Sequence, residues 1–215
     1  MIRSLSRALA LAALLTLALA AGASAATVRT AATPAQLRAG YPAYAKAVGA
    51  GFAKATKSLD HQLKKHPKKP TVVLDIDETT MSNWTCLDAV DFDLGGLATC
   101  VVGSKSVVFP AAKAFIKHAR AEKVAIAFIT GAPQVVCGAR KTNLVAQGIA
   151  MPFSLTCRQP GDTTDSVVPY KSKARKALQK QGATIVLNIG DQASDLAGGA
   201  AKATVKLPNP VYAIS

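Results

Sequence analysis

Aromatic residues and acids are both scarce in this chain: six Phe, four Tyr and one Trp among 215 residues, and 12 Asp and Glu against 26 Lys and Arg. So few aromatics leave no evident stacking platform for single-stranded nucleic acid. The formal charge of +14 would attract any polyanion, but the basic residues are spread out. Their densest run, Lys64-Lys65-His66-Pro67-Lys68-Lys69, reads as a solvated face, and no specific nucleic-acid partner is expected. Other absences narrow the chemistry. There is no Gly-x-x-x-x-Gly-Lys-Ser/Thr phosphate loop, no Gly-x-Gly-x-x-Gly after the first strand and no Gly-x-Ser-x-Gly elbow, so nucleotide-loop, dinucleotide and serine-hydrolase sites are unsupported. The three histidines, His61, His66 and His118, fall away from the expected strand ends, which argues against a His nucleophile or a triad. No Cys-x-x-Cys pair or His cluster supports structural zinc.

What is present begins with an export signal. Two arginines in the first seven residues precede an Ala/Leu-rich run, Ala8 to Ala21, and then Gly22-Ala23-Ser24-Ala25-Ala26. Basic, apolar and small residues in that order make a signal peptide, with cleavage expected after Ala25. The apolar run is too short to span a bilayer, and no later stretch is long and apolar enough to do so. A mature chain of residues 26–215, periplasmic or secreted and without a transmembrane anchor, is the expectation, and its roughly 190 residues suit one domain. The four cysteines, Cys86, Cys100, Cys137 and Cys157, are an even count in an exported chain and favour disulfides. Cys86–Cys100 and Cys137–Cys157 are the preferred pairs because each closes a short loop, worth roughly 3 kcal/mol on the chain-entropy estimate.

Along the chain, helical spacing runs from Tyr44 to Leu63, preceded by a stretch from residue 27 that lacks a strand signal and is interrupted by Pro34 and Pro42. Buried strands are expected at Thr71–Ile76, Val124–Ile129 (stopped by Thr130-Gly131) and Thr184–Ile189, with shorter ones at Met151–Leu155 and Thr204–Leu207. Helices are expected at Pro110–Glu122, Val135–Gln147 and Ser172–Gln181. Near-continuous apolar strands alternating with helices predict an α/β fold, a Rossmann-like parallel sheet with helices on both faces. Ligands of such sheets bind beyond the carboxyl ends of the strands.

Polar residues gather at those ends. The first strand runs into Asp75-Ile76-Asp77-Glu78-Thr79, the second into Thr130-Gly131, and the fourth into Gly190-Asp191-Gln192-Ala193-Ser194-Asp195, with Lys171 opening the preceding helix. Asp75 and Asp77 share one face of an extended chain. Alone, the pair reads equally well as a strand-end turn. With Asp191 and Asp195 added, several carboxylates share one crevice, which is prohibitive without a cation. Mg²⁺ fits, because it takes one or two carboxylates together with substrate phosphate oxygens; the EF-hand spacing that would argue for Ca²⁺ is absent.

These residues resemble the haloacid dehalogenase (HAD) superfamily, and within it subfamily IIIB, the plant and bacterial secreted acid phosphatases with their vegetative storage protein relatives. The matching segments are Val73-Leu74-Asp75-Ile76-Asp77-Glu78-Thr79, Phe128-Ile129-Thr130-Gly131, Tyr170-Lys171-Ser172, Asn188-Ile189-Gly190-Asp191-Gln192 with Ser194-Asp195-Leu196, and Lys206-Leu207-Pro208-Asn209-Pro210. The resemblance implies a Mg²⁺-dependent phosphomonoesterase. In it, Asp75 is the nucleophile, Asp77 the general acid and then base, and Thr130, Gly131 and Lys171 bind and neutralise the phosphoryl group. The metal is held by Asp75, the Asp77 carbonyl, Asp191 and Asp195.

One departure stands out: the family commonly has Arg after Thr-Gly, and here Ala132-Pro133 follow, with Arg140 and Arg158 as candidate replacements. Residues 80–109 are the place for a small cap or flap pinned by Cys86–Cys100. Trp84 is expected either near its mouth or packed as an ordinary hydrophobic residue. Alternatives on the same fold are a phosphotransferase and a non-catalytic storage or phosphate-binding protein.

Overall fold

The computed structural model describes residues 27–29, 31–162 and 166–214, so the expected signal peptide, residues 1–25, lies outside the described residues. In chain order the elements are β1 (Thr27–Arg29), α1 (Pro34–Leu63), β2 (Pro70–Leu74), β3 (Met81–Ser82), α2 (Trp84–Asp88), α3 (Leu97–Val102), β4 (Val107–Val108), α4 (Pro110–Ala121), β5 (Ala125–Pro133), α5 (Cys137–Ala146), β6 (Ser154–Arg158), α6 (Val168–Lys180), β7 (Thr184–Gly190), α7 (Ala193–Leu196), β8 (Thr204–Lys206) and β9 (Tyr212–Ile214).

Five strands form one sheet in the order β6-β5-β2-β7-β8, all parallel. Alternation along the strands sorts the apolar residues between two faces. Val72 and Leu74 of β2, with Ile126, Phe128, Leu187 and Ile189 of its neighbours, join the larger core with Val48, Phe52 and Leu59 of α1 and Phe115 and Ile116 of α4. Val73, Ala127, Ile129 and Ile185 point the other way and pack with Tyr170 and Ala174 of α6. Both faces of the strands are therefore covered, which is why they read as continuous apolar runs.

Several boundaries differ from the sequence expectation. Helix α1 begins ten residues earlier, at Pro34. Thr33 caps it: its hydroxyl accepts from Gln36 N–H at 3.3 Å, while Gln36 Oε1 accepts from Thr33 N–H at 2.8 Å. This reciprocal box and Pro34 in the first turn start the helix. Pro42 lies inside it, and the buried face of Leu37, Tyr44, Val48, Phe52, Ala55 and Leu59 continues across the lost hydrogen bond. The supposedly strandless stretch contains β1, which pairs antiparallel with β9, a long-range partner that no local pattern shows. Strand β5 runs on through Thr130-Gly131 to Pro133, with a register shift against β6 between Thr130 and Pro133. Strand β6 lies at Ser154–Arg158 rather than Met151–Leu155. Helix α6 begins at Val168, so Lys171 sits in its first turn, not ahead of it.

The insert after β2 is a closed unit. Strands β3 and β4 pair antiparallel, Met81 with Val108 and Ser82 with Val107, and enclose α2 and α3. Cys86–Cys100 joins those two helices, with Cα atoms 5.8 Å apart. Cys137–Cys157 ties the first residue of α5 to β6 at a Cα separation of 5.9 Å. Both expected pairings are present. Trp84 is a packed residue, with ring centroids 4.7 Å from Tyr41, 5.4 Å from Tyr44 and 4.9 Å from Phe92. Among the described residues no helix is long and apolar enough to cross a membrane.

Candidate active site

At the carboxyl end of the central strand, Asp75 N–H donates to the Ile189 carbonyl at 3.0 Å, which extends the β2–β7 ladder to the first carboxylate. The chain then turns sharply. The Ile76 carbonyl accepts from Thr80 N–H at 2.9 Å and Met81 N–H at 2.8 Å, and the Thr80 hydroxyl donates to the Asp75 carbonyl at 2.7 Å. Glu78 occupies the turn at φ 53°, in the left-handed region that side chains generally avoid. Its buried carboxylate compensates by accepting from Asn83 N–H at 2.7 Å and from the Tyr44 hydroxyl at 2.8 Å.

The adjacent strand end brings the second pair of acids. Asp191 follows β7 and accepts from the Thr79 hydroxyl at 2.8 Å, Gln192 Nε2 at 2.5 Å and Asn209 Nδ2 at 2.9 Å. Asp195, in the one-turn helix α7, accepts from Gln192 N–H at 2.8 Å through one oxygen and from Lys171 Nζ through the other. The same ammonium donates to Asp75 Oδ1 at 2.6 Å. Asp75, Asp191 and Asp195, all buried, each present a carboxylate oxygen within 4.8 Å of the others. Gly131 runs alongside, where an added Cβ would lie 4.0 Å from Lys171 Cε. The buried Thr130 hydroxyl accepts from Ala132 N–H at 3.1 Å.

Asp77 stands apart from this cluster. Its Oδ1 accepts from Asn83 Nδ2 at 2.9 Å and from Arg140. Of the two candidate arginines, Arg140 thus reaches the strand-end loop, whereas Arg158 closes β6 in register with Pro133. The sequence reading assigned no role to Glu78, Asn83, Ser106, Gln192 or Asn209. Asn209 lies in a segment that carried the family resemblance, and Glu78 in the acidic run itself; Asn83 and Ser106 carry no local signal.

Burial pushes the proton affinities of Asp75, Asp191 and Glu78 up. Asp75 is raised well above the ordinary carboxylate range by burial, against the pull of Lys171, with Asp195 and Asp191 adding to the rise. Asp191 is raised to about 6 by burial and by Asp195, although its three donors oppose the shift. Burial works against the Lys171 ammonium, but Asp195 and Asp75 outweigh it and hold the lysine charged. Three clustered carboxylates with one ammonium, which pairs with only two of them, is an arrangement that a hard divalent cation with oxygen ligands would complete.

Glu78 is raised from 4.5 to about 7, chiefly by burial. In the window between those values the folded chain keeps a proton that the unfolded chain has released. Stability is then highest below pH 4.5 and falls as pH rises towards 7, by roughly 3 kcal/mol for this group. Melting curves taken in EDTA across that window are expected to show Tm falling with pH, and Glu78→Gln should flatten the fall. Identical slopes in the two proteins would remove Glu78 as a source.

Comparison with known proteins gives relatives in sequence and in fold. Over 70 residues the chain is 46% identical to vegetative storage protein 2 of Arabidopsis thaliana, a match covering 33% of this chain and 26% of that protein. Over 156 residues it is 30% identical to acid phosphatase 1 of Solanum lycopersicum, covering 66% and 58%. The matches to vegetative storage proteins 1 and 2 of Arabidopsis thaliana span only about a quarter of those proteins, and the match to the stem 28 kDa glycoprotein of Glycine max 36% of it. The fold is similar to that of the class C acid phosphatase from Bacillus anthracis, with a TM-score of 0.64 at 21% identity over 79% of each chain. The profile of HAD superfamily, subfamily IIIB (acid phosphatase) matches residues 3–215, so the chain belongs to that family.

Proposed function

We propose that the protein is an exported phosphomonoesterase that works through an aspartyl-phosphate on Asp75. The observation that carries this is a buried carboxylate at the end of the central strand, paired with Lys171 at 2.6 Å and clustered with Asp191 and Asp195. A metal-free cluster of this kind would be costly. The buried oxygen donors suit Mg²⁺, with Asp75 and Asp191 as ligands and Asp195 ligating or orienting Lys171. Bound there, Mg²⁺ would offset the repulsion between the Asp75 carboxylate and an incoming phosphate anion.

The chain's own residues do the rest. An Asp75 oxygen forms a bond to phosphorus as the ester P–O bond breaks, and the departing oxygen takes a proton from the Asp77 carboxyl. Water then attacks the phosphorus and gives its proton to Asp77. The bond between Asp75 and phosphorus breaks, which releases phosphate and restores both residues. Lys171 holds charge against the phosphoryl oxygens and fixes the nucleophile. Thr130 and the close-lying Gly131 offer a hydroxyl and backbone N–H groups to the same oxygens. Two disulfides fit an exported location.

The likeness to vegetative storage protein 2 favours one further reading, a non-catalytic storage role. The two are separated by quenching the protein with p-nitrophenyl phosphate and Mg²⁺ in acid and mapping bound phosphate by peptide mass. The phosphate is expected on the peptide that contains Asp75. Phosphate on a different residue would overturn the mechanism, and no turnover at all would favour storage.

A further inference from the structure

Arg140 is among the largest side chains that are fully buried in this protein, at 0% exposure. It projects from α5, where Arg140, Asn143 and Leu144 make up the buried face, and Cys137, one turn earlier, is bolted to β6. One guanidinium nitrogen donates to Asp77 Oδ1 and another to the Ser106 hydroxyl at 2.9 Å. That hydroxyl donates to Asn83 Oδ1 at 2.5 Å, and Asn83 Nδ2 returns to Asp77 Oδ1 at 2.9 Å. Asn143 Nδ2 fixes the same corner through the Ser106 carbonyl at 3.1 Å. The ring joins three parts of the chain: the loop after β2, both ends of the 80–109 insert, and α5.

We propose that Arg140 is the positioning residue of Asp77, setting the carboxyl group so that it delivers its proton to the leaving oxygen. The proposal rests on the reading of Asp77 as general acid and base. Both donors fall on Oδ1, which leaves Oδ2, on a side chain 20% open to solvent, to carry the proton. A guanidinium fork suits the task because its two arms fix a carboxylate and a hydroxyl in one plane. The arrangement is also costly. Among the described residues Arg140 Nε has no hydrogen-bond partner although it is buried, and an apolar side chain of similar volume would spare that loss and the burial of a charge. A purely structural role does not explain why the charge is directed at Asp77, which stands outside the Lys171 cluster.

The test compares wild type with Arg140→Met, Arg140→Lys and Ser106→Ala on phosphate esters of graded leaving ability, from p-nitrophenyl through phenyl to alkyl phosphate, with Mg²⁺ present. Loss of a well-placed acid matters most where the leaving oxygen most needs a proton. Arg140→Met is expected to lower kcat/KM for the alkyl ester by about 10- to 100-fold, with far less effect on p-nitrophenyl phosphate. Arg140→Lys should recover part of this loss, and Ser106→Ala should show a smaller shift in the same direction. Asp77→Asn serves as the control. If Asp77→Asn leaves the leaving-group dependence unchanged, the general-acid reading itself fails. If Asp77→Asn steepens it while both Arg140→Lys and Ser106→Ala leave it flat, the positioning role alone is overturned. A uniform loss across all esters, tracking a lowered Tm, would likewise reduce Arg140 to a structural residue. Should Arg140→Met not fold, Arg140→Lys and Ser106→Ala decide the matter.

Discussion

Asp75→Asn, assayed on p-nitrophenyl phosphate with Mg²⁺, is expected to lose turnover by a factor on the order of 10⁴ or more, the scale seen when the nucleophile of a covalent mechanism is removed. The substitution keeps the shape of the side chain and leaves Lys171 paired with Asp195. It also removes a carboxylate whose ionisation burial opposes. Melting temperature in EDTA should therefore hold or rise while activity vanishes. Wild-type protein in EDTA is expected to lose activity as well and to regain it on adding Mg²⁺, and the variant should stay inactive under both conditions. Equal activity in variant, chelated and metal-loaded protein would sink the aspartyl-phosphate mechanism. Activity that survives chelation but not Asp75→Asn would retain the nucleophile and remove the metal.

Replacing Lys171 with Met should damage both stability and activity. The ammonium is the partner of Asp75 and of Asp195, and all three groups are buried. Removing one member of a buried ion pair costs about 3–5 kcal/mol, because the remaining charge keeps its desolvation cost without compensation. In a chain of this size that corresponds to a fall in Tm of roughly 10 °C. The sign of its pH dependence follows from the carboxylates left behind. Without Lys171 the proton affinity of Asp75 rises further, so the deficit should be large near neutral pH and shrink in acid, where that carboxylate is protonated. Mg²⁺ should recover part of the stability by replacing the missing positive charge, while turnover stays low because the phosphoryl oxygens lose their ammonium. Lys171→Met protein that melts like the wild type in EDTA at neutral pH would show that the two ion pairs are not holding the cluster.

The parts of the site that were legible beforehand are those at strand ends. Asp75, Thr130 and Asp191 each follow an apolar run, and in a parallel sheet such positions converge on one edge. Two carboxylates two residues apart suggested a shared face for Asp75 and Asp77. The structure separates them: Asp75 faces Lys171, whereas Asp77 turns to Asn83 and Arg140. The cause is the turn at Ile76–Glu78, which breaks the extended geometry on which the shared-face argument relied. Arg140 was one of two arginines without a way to choose between them. The docking of α5 against the insert sets Arg140 beside Ser106 and Asp77, a placement that no local pattern carries.

Local pattern pointed to the parallel α/β sheet, to a preference for the two disulfide pairs and to acids gathered at the strand ends, because apolar periodicity, loop length and strand-end position are properties of short segments. It could not determine that α1 runs unbroken past Pro42, that β1 pairs with β9, or that Asn209 braces Asp191. Those depend on groups far apart in the chain meeting in space. For Glu78, Asp77 and Arg140, what the residue does is set by the low-dielectric surroundings and by the partners supplied when the insert, α5 and the C-terminal segment close over the strand ends. The tertiary structure alone decided which carboxylate is gripped by the lysine and which by the arginine.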